Sequence, residues 1–219
     1  MKLNLIKSKM LLLCLPAFVL SSCLGVSADI AIKADGSGRI ALEYRVSQEL
    51  ESLGRLDGNE GRPAVPVGRT DFERTVTRIP GLKLSGYVSR DVRKASGGSD
   101  LVTKATLDFK DSSALLAFLD STGSRASFVQ DNAGSLLRLT VLEPSGSATD
   151  PDLLSLLRQI SEGYEFSISF SLPRNASVVM IPASVPAAKL VSNGKKVSFS
   201  ISMGELLSLK EGVGLEIRW

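Results

Sequence analysis

The chain has 219 residues, of which 43% are hydrophobic and 22% are charged. That length and composition are enough for one substantial domain. With 2 Cys and no His, the sequence excludes Ser-His and Cys-His catalytic pairs and zinc sites built from Cys and His.

The first segment has the layout of an export signal. Lys2, Lys7 and Lys9 precede an apolar run from Met10 to Leu20. A helix that crosses a bilayer needs about 20 apolar residues, so this shorter run predicts a signal peptide over residues 1–22. Its three lysines account for the whole excess of 26 Lys and Arg over 23 Asp and Glu. The balanced mature chain therefore gives no indication of nucleic-acid binding.

A cysteine follows the apolar run directly, in the sequence Leu20-Ser21-Ser22-Cys23. This pattern resembles the lipobox of bacterial lipoproteins. The resemblance implies a diacylglycerol on Cys23, cleavage before Cys23, and acylation of the new N-terminus, commonly with palmitate. It also implies attachment to the inner or outer membrane of a bacterial envelope, on the periplasmic side or at the surface. An ordinary secretory signal with an unrelated cysteine is the alternative.

The residues after Cys23 predict a short tether and then a folded domain. A tether over residues 23–28 includes only five residues beyond the cysteine, Leu24 to Ala28, and reaches about 17 Å when extended. The predicted domain, 29–219, opens with alternating apolar residues on both sides of the turn Asp35-Gly36-Ser37-Gly38. That pattern indicates a β-hairpin.

The middle of the chain alternates between predicted helices and strands. A helix is predicted over 47–56, followed by a Gly/Pro-rich loop over 57–69. Thr70-Asp71-Phe72-Glu73 has the form of a capping box, with the helix ending at Pro80-Gly81. Further segments are predicted as strands or helices from their hydrophobic period: strands 82–93 and 101–110, a helix over 112–121, strands 125–130 and 136–142, and a helix that starts at Asp150.

The last third has the clearest alternation. Phe166 to Leu172 and Val197 to Ile201 place large apolar residues on one face and serines on the other. The serine faces are expected to meet solvent, or else to line a mildly polar groove. Ser202-Met203-Gly204-Glu205 predicts a second capping box. The segment from Leu215 to Trp219 predicts a final strand with Trp219 in the core.

Together these elements predict an α+β fold. We expect a mostly antiparallel sheet with several short helices packed on one face, and a strand-strand-helix rhythm along the chain. No cofactor site and no metal site is predicted, because no characteristic motif for either occurs.

Two short motifs resemble catalytic ones but predict turns. Ser192-Asn193-Gly194-Lys195 matches the S-x-x-K of serine acylases, yet its Asn-Gly lies between two strand-like runs and favours a hairpin turn. Asp35-Gly36-Ser37-Gly38 lacks the second carboxylate motif that an aspartic protease needs.

Residues 173–191 contain the candidate binding segment. The apolar run Val178 to Ile181 is followed by Pro182 and Pro186. One interpretation is a buried edge strand with an extended connection. The other is an apolar lip that touches lipid or covers a cavity, with Val179 and Ile181 as ligand-binding residues. One of these two side chains is expected to point into the core.

Two features together resemble the LppM-like domain of bacterial lipoproteins. They are the turn at Asp35–Gly38 after a lipid-anchored Cys23, and the C-terminal pattern around Val191 to Val197. The resemblance implies an α/β envelope domain with lipid-handling or host-facing roles, and it supplies no catalytic residue.

From all of these features we expect a non-enzymatic, lipid-anchored envelope protein. Its expected partners are the membrane, reached through the acyl chains on Cys23, and a lipid, an apolar ligand or another envelope or host protein. No nucleic-acid partner is expected. The alternative is an envelope hydrolase that uses carboxylates or a lone serine.

Overall fold

The computed structural model describes residues 24–47, 68–94, 97–120, 124–131, 134–144, 155, 158–159 and 161–219. They form two β-sheets and short helices around a shared hydrophobic core. The elements in chain order are β1 (Leu24–Ile32), β2 (Gly38–Ser47), α1 (Arg69–Arg78), β3 (Leu82–Arg93), β4 (Ser99–Phe109), α2 (Ser112–Leu119), β5 (Ala126–Asp131), β6 (Gly134–Leu142), β7 (Glu165–Ser171), β8 (Ser177–Ile181), β9 (Lys189–Asn193), β10 (Lys196–Ser202), α3 (Met203–Ser208) and β11 (Val213–Arg218). The predicted class, α+β with mostly antiparallel sheet and several short helices, is confirmed.

The larger sheet has seven strands in the order β3-β4-β2-β1-β7-β10-β9. Its neighbours are antiparallel except β1 and β7, which run parallel. Ile30 of β1 lies opposite Ile40 on one side and Phe170 on the other, and all three are buried. Since successive side chains of a strand point to opposite faces, this register places the alternating apolar residues in one core layer.

The smaller sheet has four antiparallel strands in the order β5-β6-β11-β8. β11 lies between β6 and β8, and its Leu215 pairs with Leu139 and Met180. These three residues belong to the same core as the buried residues of the larger sheet. One continuous core therefore holds both sheets.

The predicted hairpin turns are confirmed. Gly36 and Gly194 have φ angles of 80° and 56°, in the left-handed region that glycine adopts without steric cost. The Ser192–Lys195 motif is thus the β9–β10 hairpin, with Asn193 opposite Lys196. The Ser192 hydroxyl donates to the carbonyl of Ala176 at 2.8 Å.

The two predicted capping boxes have different outcomes. At α3, the Ser202 hydroxyl accepts the backbone N–H of Glu205 at 3.3 Å, as predicted. The capping box at Thr70 is wrong, because α1 begins one residue earlier, at Arg69, and follows Gly68. The carbonyl of Gly68 accepts the N–H of Asp71 at 3.0 Å and that of Phe72 at 3.3 Å. The helix therefore starts on backbone contacts, and Phe72 packs between Tyr44 and Tyr87.

The predicted tether over residues 23–28 is also wrong. β1 begins at Leu24, so all five residues from Leu24 to Ala28 belong to the strand. Val26 pairs with Tyr44 of β2 on one side and with Phe166 of β7 on the other. The small side chains of this segment suggested a linker, but two long neighbouring strands supply hydrogen-bond partners along its length.

Some predicted segments lie outside the described residues. They are the signal peptide over 1–22, most of the helix over 47–56 and the loop over 57–69, and most of the helix that starts at Asp150. These remain predictions.

Candidate functional site

The start of the domain is set by β1. Leu24 pairs with Val46, and Gly25 pairs with Arg45. Cys23 itself lies outside the described residues, directly before the strand. Because one peptide unit spans about 3.8 Å, any group carried by Cys23 is held within a few ångströms of the edge of the folded domain.

The two candidate ligand-binding residues lie on β8, which forms one edge of the smaller sheet. Val179 lies opposite Glu216 and Ile181 opposite Gly214 in β11. Val179 is 55% exposed and Ile181 is 52% exposed, whereas Met180 between them is buried. The structure therefore places both candidates on the outer face of the sheet.

The expectation that one of these side chains points into the core is wrong. Residues two apart on a strand lie on the same face, so Val179 and Ile181 share a face and Met180 lies on the other. Val178, on the side of Met180, packs against the core. We call Val179 and Ile181 the β8 strip.

The face that carries the β8 strip also carries ion pairs. Arg138 of β6 contacts Glu216 of β11 at 2.7 Å, and Arg218 contacts the same carboxylate at 3.4 Å. The hydrogen bond from Arg138 lowers the pKa of Glu216 below its usual value. The β8 strip is therefore an apolar edge beside a charged strand.

The serine face of the larger sheet points away from the core, as predicted. The Ser167 hydroxyl donates to that of Ser27 at 2.9 Å, and Ser169 donates to Asp29. Ser167 and Ser169 are both half-buried. These contacts join β7 to β1 across the outer face.

Carboxylates with a resolved pKa shift in the described part of the chain all shift downward. Lys104 and, to a lesser degree, Arg45 lower the pKa of Glu43, and Arg39 lowers that of Asp108. The Ser37 hydroxyl and N–H lower the pKa of Asp35, and Arg125 lowers that of Glu143. A carboxylic acid that donates a proton in catalysis near neutral pH needs a raised pKa. The observed contacts instead hold these groups in the charged form.

Two carboxylates among the described residues are buried, Asp100 and Asp120. Asp100 at the start of β4 accepts the hydroxyl of Tyr164 at 2.8 Å and lies 3.4 Å from the ammonium of Lys94. This contact joins β4 to the chain just before β7, on the same side of the domain as Leu24. It satisfies a buried charge, as folded proteins require.

The described residues contain neither a candidate metal cluster nor a candidate membrane-spanning helix. No group of three or more acidic or Cys side chains there is arranged to hold a metal ion. No helix among them has the length and hydropathy needed to cross a bilayer.

The solved structures that are similar to this chain include the NMR structure of the folded domain of LppM from Mycobacterium tuberculosis. The two chains are 11% identical and have a TM-score of 0.45, over 90% of each chain. No family model matches the chain, and no curated protein matches it. The LppM-like resemblance thus has a structural neighbour, at a level of similarity that carries no inference about function.

Proposed function

We propose that the protein is a non-enzymatic bacterial envelope protein that is anchored by acyl chains on Cys23 and binds lipid through the β8 strip. The observation that carries the proposal is the pattern Leu20-Ser21-Ser22-Cys23 directly ahead of β1. Stable anchoring takes two lipid signals, since burial of an acyl chain contributes about 0.8 kcal/mol per CH₂ and one chain holds only weakly. Processing of a lipobox supplies two or three chains.

The β8 strip supports the lipid-binding part of the proposal. Full burial of a Val or Ile side chain contributes roughly 1.5–3 kcal/mol. Two such side chains on an edge strand offer an apolar contact to a ligand that approaches from outside. The anchor keeps the domain near a bilayer, because no tether separates Cys23 from β1.

Anchoring is tested by replacing the cysteine. We expect Cys23→Ala to move the protein from the membrane fraction to the soluble fraction, or to leave it unprocessed. The matched control is Cys14→Ala, which changes the other cysteine of the chain inside the predicted signal peptide and should leave anchoring intact. Membrane fractionation and the intact mass of the mature protein give the result. Normal processing and membrane retention of Cys23→Ala would contradict the proposal.

Lipid binding is tested on the chain from residue 24 onward with phosphatidylcholine liposomes. We expect Ile181→Asp to reduce the bound fraction several-fold, because an ionised side chain cannot enter an apolar contact without a large desolvation cost. Ile181 is the better position for this substitution, because it lies opposite Gly214. A carboxylate at position 179 would instead lie opposite the carboxylate of Glu216, and their repulsion would add a second effect. The fold should persist, because the side chain is half-exposed.

The control for this experiment is Val88→Asp. Val88 is 58% exposed on β3, at the opposite edge of the larger sheet from β9, so the variant should bind liposomes like the wild type. Equal binding by Ile181→Asp and wild type, or no binding by wild type, would exclude lipid as the partner of the β8 strip. In that case another envelope or host protein would take its place.

A further inference from the structure

A groove crosses the end of the smaller sheet at Trp219, near the end of the larger sheet opposite Leu24. It consists of two cavities, of about 410 Å³ and 400 Å³. Both cavities are lined by Asp131, Gly134, Ser135 and Trp219, which form the wall between them at the end of the smaller sheet. The first cavity lies beside Ser177 and Arg218, on the outer face of that sheet, and the second lies beside Phe128, on its inner face. We call the two cavities, with the wall between them, the Trp219 groove.

Trp219 is fixed in the shared wall. Its ring centroid lies 5.7 Å from that of Phe128, with a tilt of 31°. Its backbone exchanges two hydrogen bonds with Ser135, at 2.8 and 3.1 Å. The ring is half-buried, so Phe128 supports one part of the indole while another part faces the groove.

Polar side chains line both cavities. Asn175 lines the first cavity, and Lys33, Gln130 and Arg174 line the second. Within the described part of the chain, none of these four side chains makes a hydrogen bond or ion pair. Their donors and acceptors are therefore available to a ligand.

The carboxylates of the groove are already partly engaged. Asp35 accepts from Ser37, Asp111 accepts the N–H of Ala114, and Asp131 accepts the N–H of Gly134. With Lys33 and Arg174 nearby, the walls carry both signs of charge and no strong excess of either. This balance does not favour an ion, and the open polar walls do not favour a compact apolar molecule.

An open groove with a fixed aromatic ring and free amide and cationic donors fits a saccharide. A sugar ring presents C–H groups that pack on an indole, and hydroxyls that hydrogen-bond to amides, guanidinium groups and carboxylates. We propose that the Trp219 groove binds a neutral saccharide chain that extends across Trp219 into both cavities.

The position of the groove fits a ligand outside the bilayer. β1 runs from Leu24 to Ile32, and the turn that follows it lines the second cavity. At about 3.3 Å per residue, the groove lies roughly 26 Å from the start of the strand. If the anchor on Cys23 is as proposed above, the groove faces away from the lipid, whereas saccharide binding itself does not depend on the anchor.

Trp219 is the single tryptophan of the chain and serves as the reporter. We titrate the full chain, purified in detergent, with two neutral probes: the tetramer of N-acetylglucosamine and the tetramer of glucose. We expect a saturable change in tryptophan emission with at least one probe, with a Kd of about 1 mM or lower. Saturation by one probe alone would support the proposal and identify the preferred sugar.

Two variants locate the site, one for each cavity. Arg174→Ala and Asn175→Ala should each weaken binding at least about five-fold, which corresponds to the loss of roughly 1 kcal/mol of hydrogen bonding, with unchanged melting temperature. Arg90→Ala is the control, because Arg90 is exposed on β3 and has no ion pair with another described residue. If neither probe gave a saturable change in tryptophan emission, the proposal would be overturned. Equal affinities of Arg174→Ala, Asn175→Ala and Arg90→Ala would overturn it as well.

Discussion

Gly38 is a residue where a single added carbon would collide with the backbone. It starts β2, opposite Ile32 of β1 and Phe109 of β4. A Cβ at this position would lie 2.0 Å from the carbonyl oxygen of Ala31 and 2.3 Å from the ring of Phe109. Neither neighbour can move freely, because one is strand backbone and the other is a buried ring.

We expect Gly38→Ala to lower the free energy of unfolding by about 3 kcal/mol, at the upper end of overpacking effects. Urea unfolding followed by circular dichroism measures the change. The control is Gly86→Ala in β3, where the nearest atoms to an added Cβ lie 3.4 and 3.5 Å away on Thr106. That variant should stay within about 1 kcal/mol of wild type. Similar losses of unfolding free energy in the two variants would contradict the predicted collision at Gly38.

At the scale of the element, β11 holds the smaller sheet together. It is hydrogen-bonded to β6 on one side and to β8 on the other. Leu215 and Ile217 point into the core, as the alternation predicted. Trp219 follows the last residue of β11 and packs against Phe128, but it is only half-buried.

We expect Ile217→Ala to cost about 2–5 kcal/mol, since the side chain is 0% exposed and its removal leaves a cavity. Thermal and urea unfolding measure the loss. Val179→Ala on the neighbouring strand is the comparison and should cost less than about 1 kcal/mol, because this side chain faces outward. If the two substitutions were equally costly, the assignment of inner and outer faces would be incorrect.

At the scale of the whole molecule, the exposed strand faces carry carboxylates whose pKa values are lowered. Glu43 beside Lys104, Asp108 beside Arg39 and Glu216 beside Arg138 are three of them. A carboxylate whose pKa is lower in the folded state stabilises that state fully above its unfolded pKa. The contribution disappears as the pH falls through the folded pKa.

We therefore expect the free energy of unfolding to be nearly constant between about pH 6 and 8 and to decrease below about pH 4. The chain has no His, so no imidazole titrates in the neutral range. The acid-induced loss should shrink in high salt, which screens exposed ion pairs. Equilibrium unfolding at a series of pH values measures both effects, and a marked change between about pH 6 and 8 would contradict this account.

The sequence alone determined the features that depend on neighbours along the chain. The turns at Gly36 and Gly194 follow from the conformational freedom of glycine, and the capping of α3 by Ser202 follows from a contact three residues away. The alternation in β7, β10 and β11 identified their buried faces, because the side-chain period of a strand is two. The apolar run with Cys23 at its end is likewise a local pattern.

Only the tertiary structure decided the features that depend on distant neighbours. Leu24 to Ala28 form a strand because β2 and β7 lie on either side of them, and β7 begins at Glu165. Val179 and Ile181 face outward because β8 pairs with β11 in a register that turns Met180 inward. Trp219 packs on Phe128 and lines the same cavity as Arg174 only because segments that are remote in the sequence end at the same place. Hydrogen-bond pairing and core packing between remote segments set these outcomes, and no local period of the sequence contains them.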